Sequence, residues 1–183
     1  ANVGWIVFEQ TNGRPRIDLR TGAFSGYAWG ANVGWIGLSN AQAFVETDAF
    51  AAGPDTDSDG LPDDWELSHA GNLHVFRGGT NDWDRDGATD TEEYGADTDP
   101  EDDEDRLRIV HFTEGESLQW TARPTRLYRV ERTNRMPEGV SGDWFSAGAL
   151  FGPYADSPAE LALPGLPVST QVYRVKAVLP PAE

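Results

Sequence analysis

Cysteine is absent from this 183-residue chain. Disulfides therefore cannot staple a small domain, and neither a thiol nucleophile nor a redox pair is available. There is also no apolar run near the roughly 20 residues that span a bilayer, so no membrane span is expected. Basic residues are scarce: 14 Lys and Arg stand against 31 Asp and Glu, a formal net charge of −17. A chain so acidic repels nucleic acid and anionic membranes, which removes both as partners. Catalytic signatures are missing as well. No GxSxG elbow appears, and no Ser-His-Asp set can be assigned from spacing. His69, His74 and His111 are scattered, without the further Cys or His ligands of a transition-metal site. The expectation is a protein that is not an enzyme.

What is present is unevenly placed. Between 55 and 105 there are 19 acidic residues and only two arginines, while the flanking segments nearly cancel in charge. A block like this usually reads as a self-repelling, disordered tail. Here it also holds Trp65, Leu67, Tyr94 and regularly placed glycines, so ion binding is the better reading. Small domains that lack disulfides need another crosslink, and a structural metal supplies one.

Two twelve-residue runs give that reading its chemistry. DTDSDGLPDDWE, residues 55–66, puts carboxylates at loop positions 1, 3, 5, 9 and 12: Asp55, Asp57, Asp59, Asp63 and Glu66. DWDRDGATDTEE, residues 82–93, repeats the pattern with Asp82, Asp84, Asp86, Asp90 and Glu93. Calcium is a hard ion that takes six to eight oxygens, and this spacing wraps them around one centre. Gly60 and Gly87 at position 6 permit the sharp turn, and Leu61 and Ala88 after them offer backbone carbonyls. The last Glu of each run can bind through both oxygens. Magnesium fits less well, because it keeps its waters and takes fewer protein ligands. Each run leads into a short helix: Pro62 and DDWELSHA stopped by Gly71, then Thr89 to Tyr94 stopped by Gly95.

A loop followed by one short helix, twice over, is similar to dockerins. The run DTDSDG with the later GADTDPEDDED resembles thrombospondin type 3 repeats. That resemblance implies a calcium-rich tract that stiffens the link between extracellular domains, with Asp97 and Asp99 adding oxygens near the second site. Because the block lies between two β-rich segments, the rigid connector is the favoured reading over a detachable docking tail.

Residues 1–50 contain an internal copy: ANVGWI stands at 1–6 and again at 31–36. Period-2 alternation around Ile17, Leu19, Tyr27 and Trp29 predicts a small Gly/Trp-rich β-meander. GYAWGANVGWI at 26–36 resembles bacterial surface repeats of the form GYAWGxNVGWI, a resemblance that implies no activity. Tyr27, Trp29 and Trp35 are candidates for stacking on a sugar. From 106 to 183, six strand patterns (LRIVHF, SLQWTA, RLYRVERT, DWFSAG, AELAL, QVYRVKAV) separated by Gly and Pro predict a sandwich similar to immunoglobulin or fibronectin domains. Trp120, Trp144 and Phe145 are its expected core, and Arg126, Arg129, Arg132 and Arg135 a solvated strand face beside an acidic neighbour.

The fold expected is mainly β, in three parts: meander 1–50, calcium connector 51–105 and sandwich 106–183. The function expected is structural, in a secreted bacterial surface or matrix protein that calcium stiffens. The first residue is alanine, with no charged-then-apolar leader, so any export signal is expected to have been removed or never to have been included in this chain. The ANVGWI strand at 1–6 is expected to lack a partner within the chain and to add to a neighbouring molecule, head to tail, as a filament subunit would. Other surface proteins are further candidate partners. A carbohydrate-binding accessory module and a dockerin-like docking module are the alternatives.

Overall fold

The computed structural model describes residues 4–9, 11–48, 53–133, 143–154, 157–163 and 171–179. The protein is mainly β, with several small antiparallel sheets and two short helices among these residues. It divides into two compact units, Ala1–Ala51 and Ala52–Leu179. The acidic block and the C-terminal strands lie in the second of these units.

The first unit contains β1 (Ile6–Val7), β2 (Arg16–Ile17), β3 (Phe24–Ser25), β4 (Tyr27–Gly30) and β5 (Gly34–Gly37). Its main sheet runs β1–β4–β5, all antiparallel, and β2 pairs with β3 beside it. Alternation sorts the side chains. Ala28 is fully buried on one face, whereas Trp29 lies opposite Trp35 on the other, with ring centroids 5.0 Å apart and edge to face. Cross-strand aromatic pairs of this kind stabilise a sheet that has little other core.

One expectation is corrected here. The first copy of the repeat does not lack a partner, since Ile6 pairs with Gly30 and Val7 with Trp29. The β4–β5 hairpin leaves one edge of β4 open, and a strand on the same chain reaches it at a far higher effective concentration than one on another molecule.

The second unit begins with α1 (Asp63–His69) and α2 (Asp90–Ala96), followed by β6 (Ile109–Thr113), β7 (Ser117–Trp120), β8 (Leu127–Thr133), β9 (Phe145–Ser146), β10 (Ala159–Ala162) and β11 (Val172–Val178). Each of these strands lies in one of the expected patterns, β6 running one residue past LRIVHF to Thr113. They form two three-stranded antiparallel sheets, ordered β10–β7–β6 and β11–β8–β9. Leu118 and Trp120 of β7 and Tyr128 and Val130 of β8 are buried in one core cluster. Phe145 is not part of it. It is 62% exposed on the two-residue edge strand β9, while Trp144 lies under the Arg174 guanidinium, 4.1 Å from its ring.

Arginines join the acidic block to these sheets. Arg126 donates from Nε to the Gly95 carbonyl at 2.8 Å and from Nη2 to the Tyr94 carbonyl at 2.9 Å. It thereby supplies a donor to the Gly95 carbonyl and a second one, beside the Asp97 N–H, to the Tyr94 carbonyl, at a helix end where a cation is also favoured. Thr125 donates its hydroxyl to Asp97, and Arg123 bonds Asp105. Arg126 is thus no solvated residue. The same contacts move the expected end of α2: Gly95 is inside the helix, and Asp97, at φ 61°, closes it. At the other end Thr89 and Glu92 form a reciprocal capping box. Pro62 sits at the N-cap of α1 rather than in its first turn.

Candidate metal centre

The two acidic runs fold as near copies. Position 4 is left-handed in both (Ser58 at φ 62°, Arg85 at φ 67°), and the glycine at position 6 takes φ 98° in one and 97° in the other. The first aspartate of each run accepts N–H groups from across its own turn. Asp55 takes Gly60 N–H at 3.0 Å, and Asp82 takes Gly87 N–H at 3.1 Å. The third one bonds two residues onward, Asp59 to Leu61 N–H at 2.9 Å and Asp86 to the Ala88 N–H at 2.6 Å. These bonds leave the remaining oxygens converging. Asp55, Asp57 and Asp59 each bring a carboxylate oxygen within 4.8 Å of the others, and so do Asp82, Asp84 and Asp86.

The closing glutamates carry most of the chemical information. Glu66 and Glu93 are fully buried, and neither oxygen of either one has a hydrogen-bond partner. An isolated buried carboxylate is costly, and native folds retain one only where something compensates it. Burial pushes the Glu66 carboxyl up to about 7, and the charges of Asp59, Asp57, Asp63 and Asp55 add to the shift. Burial likewise pushes Glu93 up to about 8, with Asp84, Asp86, Asp90 and Asp82 adding to it. Each glutamate thus faces its own aspartate cluster with unused acceptors. One Oδ of Asp84 and one of Asp86 are also buried without a hydrogen-bond partner. Two hard, anionic, oxygen-only cages suit a divalent cation of calcium's type, with the Leu61 and Ala88 carbonyls at position 7 available to it.

Asp63 and Asp90 do something else. Asp63 accepts the N–H and hydroxyl of Thr56, at 2.6 and 2.5 Å. Asp90 is buried and accepts the Trp83 N–H at 3.0 Å, the Asn81 amide at 2.6 Å and the Arg77 N–H at 3.2 Å. Both brace position 2 of their own loop. Asp97 and Asp99 are not grouped with either triad: Asp97 meets Thr125 and Arg126, and Asp99 lies 3.5 Å from His69. Asp97 sits in the left-handed turn that closes α2, at φ 61°.

Several residues that matter here escaped the sequence reading. Phe76 is fully buried, with Trp65 at 5.2 Å and Trp83 at 6.2 Å between ring centroids, and Trp65 meets Tyr94 at 5.7 Å. These rings pack the two loop–helix pairs together. Gly78 passes so close to loop one that an added Cβ would lie 1.9 Å from the Asp59 carbonyl oxygen, and its N–H bonds the Asp59 carboxylate at 2.9 Å. Arg106 bonds the Asp86 carbonyl and lies 3.5 Å from its carboxylate. Asp103 is close enough for its charge to oppose ionisation of Asp84. An isolated apolar or glycine residue carries no periodicity, so no sequence signal pointed to Phe76 or Gly78.

The third group of candidates, Tyr27, Trp29 and Trp35, shares one face of the β1–β4–β5 sheet, each at least 39% exposed. No family model, no curated protein and no solved structure matches the chain.

Proposed function

We propose that this protein is a calcium-stabilised structural protein, with one ion held in each acidic loop. The observation that carries the reading is the pair of fully buried glutamates, Glu66 and Glu93, whose four oxygens have no partner while they face clusters of further carboxylates. In the first loop Asp55, Asp57, Asp59, the Leu61 carbonyl and Glu66 would hold the ion. In the second it would be Asp82, Asp84, Asp86, the Ala88 carbonyl and Glu93. Asp63 and Asp90 keep each loop in shape. The ion supplies charge compensation and a crosslink, so its binding energy becomes folding energy. Through Arg126, Arg123 and Thr125 that order is passed to the C-terminal sheets, which we read as the halves of a fibronectin-like sandwich. The acidic block is then an integral calcium-set part of its unit rather than a detachable dockerin-like tail. The extracellular space supplies calcium at the millimolar level such modules need, which favours a secreted, surface or matrix location and a non-catalytic role. Calorimetry tests the reading directly: two calcium ions should bind per chain, and one after Glu66→Gln. Heat of binding indistinguishable from zero would end it.

A second reading rests on the exposed Tyr27, Trp29 and Trp35. Three aromatic rings on one sheet face can stack on a polysaccharide, as in a carbohydrate-binding accessory module. Glycan binding that disappears on Trp29→Ala would establish that role, and a blank glycan array would remove it.

A further inference from the structure

The two copies of the GWI strand sit on opposite edges of the same strand, β4. Three hydrogen bonds define how they do so. Ala31 N–H donates to the Trp5 carbonyl at 3.0 Å, so the backbone groups of Trp5 and, by alternation, Val7 face β4. Tyr27 N–H donates to the Gly13 carbonyl at 2.9 Å, so odd-numbered residues of β4 point to the β1 side. Leu38 N–H donates to the Gly26 carbonyl at 3.0 Å, so even-numbered residues of β4 and β5 face one another. In β5 the backbone groups of Trp35 and Gly37 therefore point away from β4, and β5 ends the sheet.

The repeat offset of 30 residues makes Trp35 and Gly37 the counterparts of Trp5 and Val7. One edge of this strand thus has two fates. In β1 it is paired with β4, whereas in β5 no described strand covers it. The same sequence in the same conformation presents the same donors and acceptors, so the β1–β4 pairing is a template for what the outer edge of β5 can take. In that register Gly37 would stand opposite Trp29 of the incoming strand, where Val7 stands in β1. Lacking a side chain, Gly37 leaves room for the indole.

We propose that the outer edge of β5 is a docking edge for β4 of a second copy of this chain, and that β1 keeps each copy closed by occupying that place on its own β4. The strand that would have to leave is only the two residues Ile6–Val7, too short to be stable by itself. Its side chains are partly in solvent, Ile6 44% and Val7 39% exposed, and the adjoining Trp5 is 86% exposed. Once β1 lifts, β5 of one molecule pairs with β4 of the next. This contact is heterologous and does not close on itself, so it propagates. The proposal uses no calcium ligand, and running each measurement with calcium and with chelator separates its failure from failure of the calcium reading.

Sedimentation equilibrium tests it. The wild-type chain should be monomeric. Val7→Pro, which removes an N–H facing β4, and deletion of residues 1–8 should each give a mass that at least doubles with concentration. Adding Gly37→Pro to Val7→Pro should restore the monomer, because the Gly37 N–H faces outward and the β4–β5 bonds survive. The exciton signal of the Trp29–Trp35 pair in circular dichroism reports that the sheet is intact. Monomeric variants that keep this signal would overturn the proposal, as would a wild-type chain that assembles only while β1 is present. If a variant loses the signal, the wild-type chain decides. A peptide of residues 30–39 should shift the Trp29 and Ala31 amide resonances and the same peptide with Gly37→Pro should not. No shift with either peptide overturns the proposal.

Discussion

Replacing Glu93 by methionine should raise the stability of the calcium-free protein, contrary to the usual effect of altering a buried residue. Glu93 is fully buried with both oxygens unpartnered, and its carboxyl is pushed from 4.5 to about 8. In the unfolded chain the group is ionised at pH 7. In the folded, calcium-free chain it must bind a proton or stay charged among Asp84, Asp86 and Asp90. The folded state therefore binds more protons than the unfolded one between pH 4.5 and about 8, and stability falls as pH rises through that window. The cost at pH 7 is roughly 3 kcal/mol, and at pH 5 it drops below about 1 kcal/mol. Methionine has similar length, carries no charge and needs no hydrogen bond. In chelator at pH 7 the Glu93→Met protein should melt about 10 °C higher than wild type, with little difference at pH 5. Calcium reverses the account. At about 100 times its Kd an ion in the second loop stabilises wild type by roughly 2.7 kcal/mol, and the variant should lose that increment. Thermal melts at both pH values, with calcium and with chelator, measure all four states. A lower melting temperature in chelator, or an undiminished calcium increment, would refute the reasoning.

Three further outcomes follow from other contacts. Gly78→Ala should destabilise the second unit by about 2 kcal/mol or more and weaken calcium binding in the first loop, because the new Cβ meets the Asp59 carbonyl oxygen at 1.9 Å; unchanged calorimetry would contradict the close approach. Arg126→Ala should uncap α2 and cost roughly 1–3 kcal/mol, read as faster proteolysis within residues 53–105. Burial disfavours ionisation of Glu131, but the hydrogen bond from Arg174 at 2.5 Å and the charge of Lys176 outweigh it and hold the carboxyl below its usual range. That contribution is present above the ordinary glutamate pKa and is lost as pH falls through the lowered one, so Glu131→Gln should flatten the acid limb of the stability profile.

The two acidic loops were legible in the sequence because their geometry is local. Twelve residues supply the turn, the ligands and the closing glutamate, and no distant contact is needed to read the pattern Asp-x-Asp-x-Asp-Gly. The six C-terminal strands were legible for a similar reason, since alternation is written residue by residue in stretches such as LYRVERT. Contacts between distant segments were not: Arg126, Arg123 and Thr125 bond Gly95, Asp105 and Asp97 across the change of composition near 105. A run of arginines beside a run of aspartates shows charge but not which guanidinium meets which carbonyl.

Sequence by itself determined the doubled carboxylate spacing, the glycines at both sharp turns, the β character and the doubled GWI strand. Tertiary structure decided which carboxylates converge within each loop and which brace a backbone N–H. Asp63 and Asp90 share their residue type with Asp59 and Asp86, and only the fold assigns them to Thr56 and Trp83. It likewise decided that Glu66 and Glu93 are buried without partners, that Asp97 meets Thr125 and Arg126, and that β1 is paired within its own sheet. The physical reason is common to all of these. A ligand pattern is a property of neighbours in the chain, whereas burial, hydrogen-bond satisfaction and strand pairing depend on what else the fold brings to the same place.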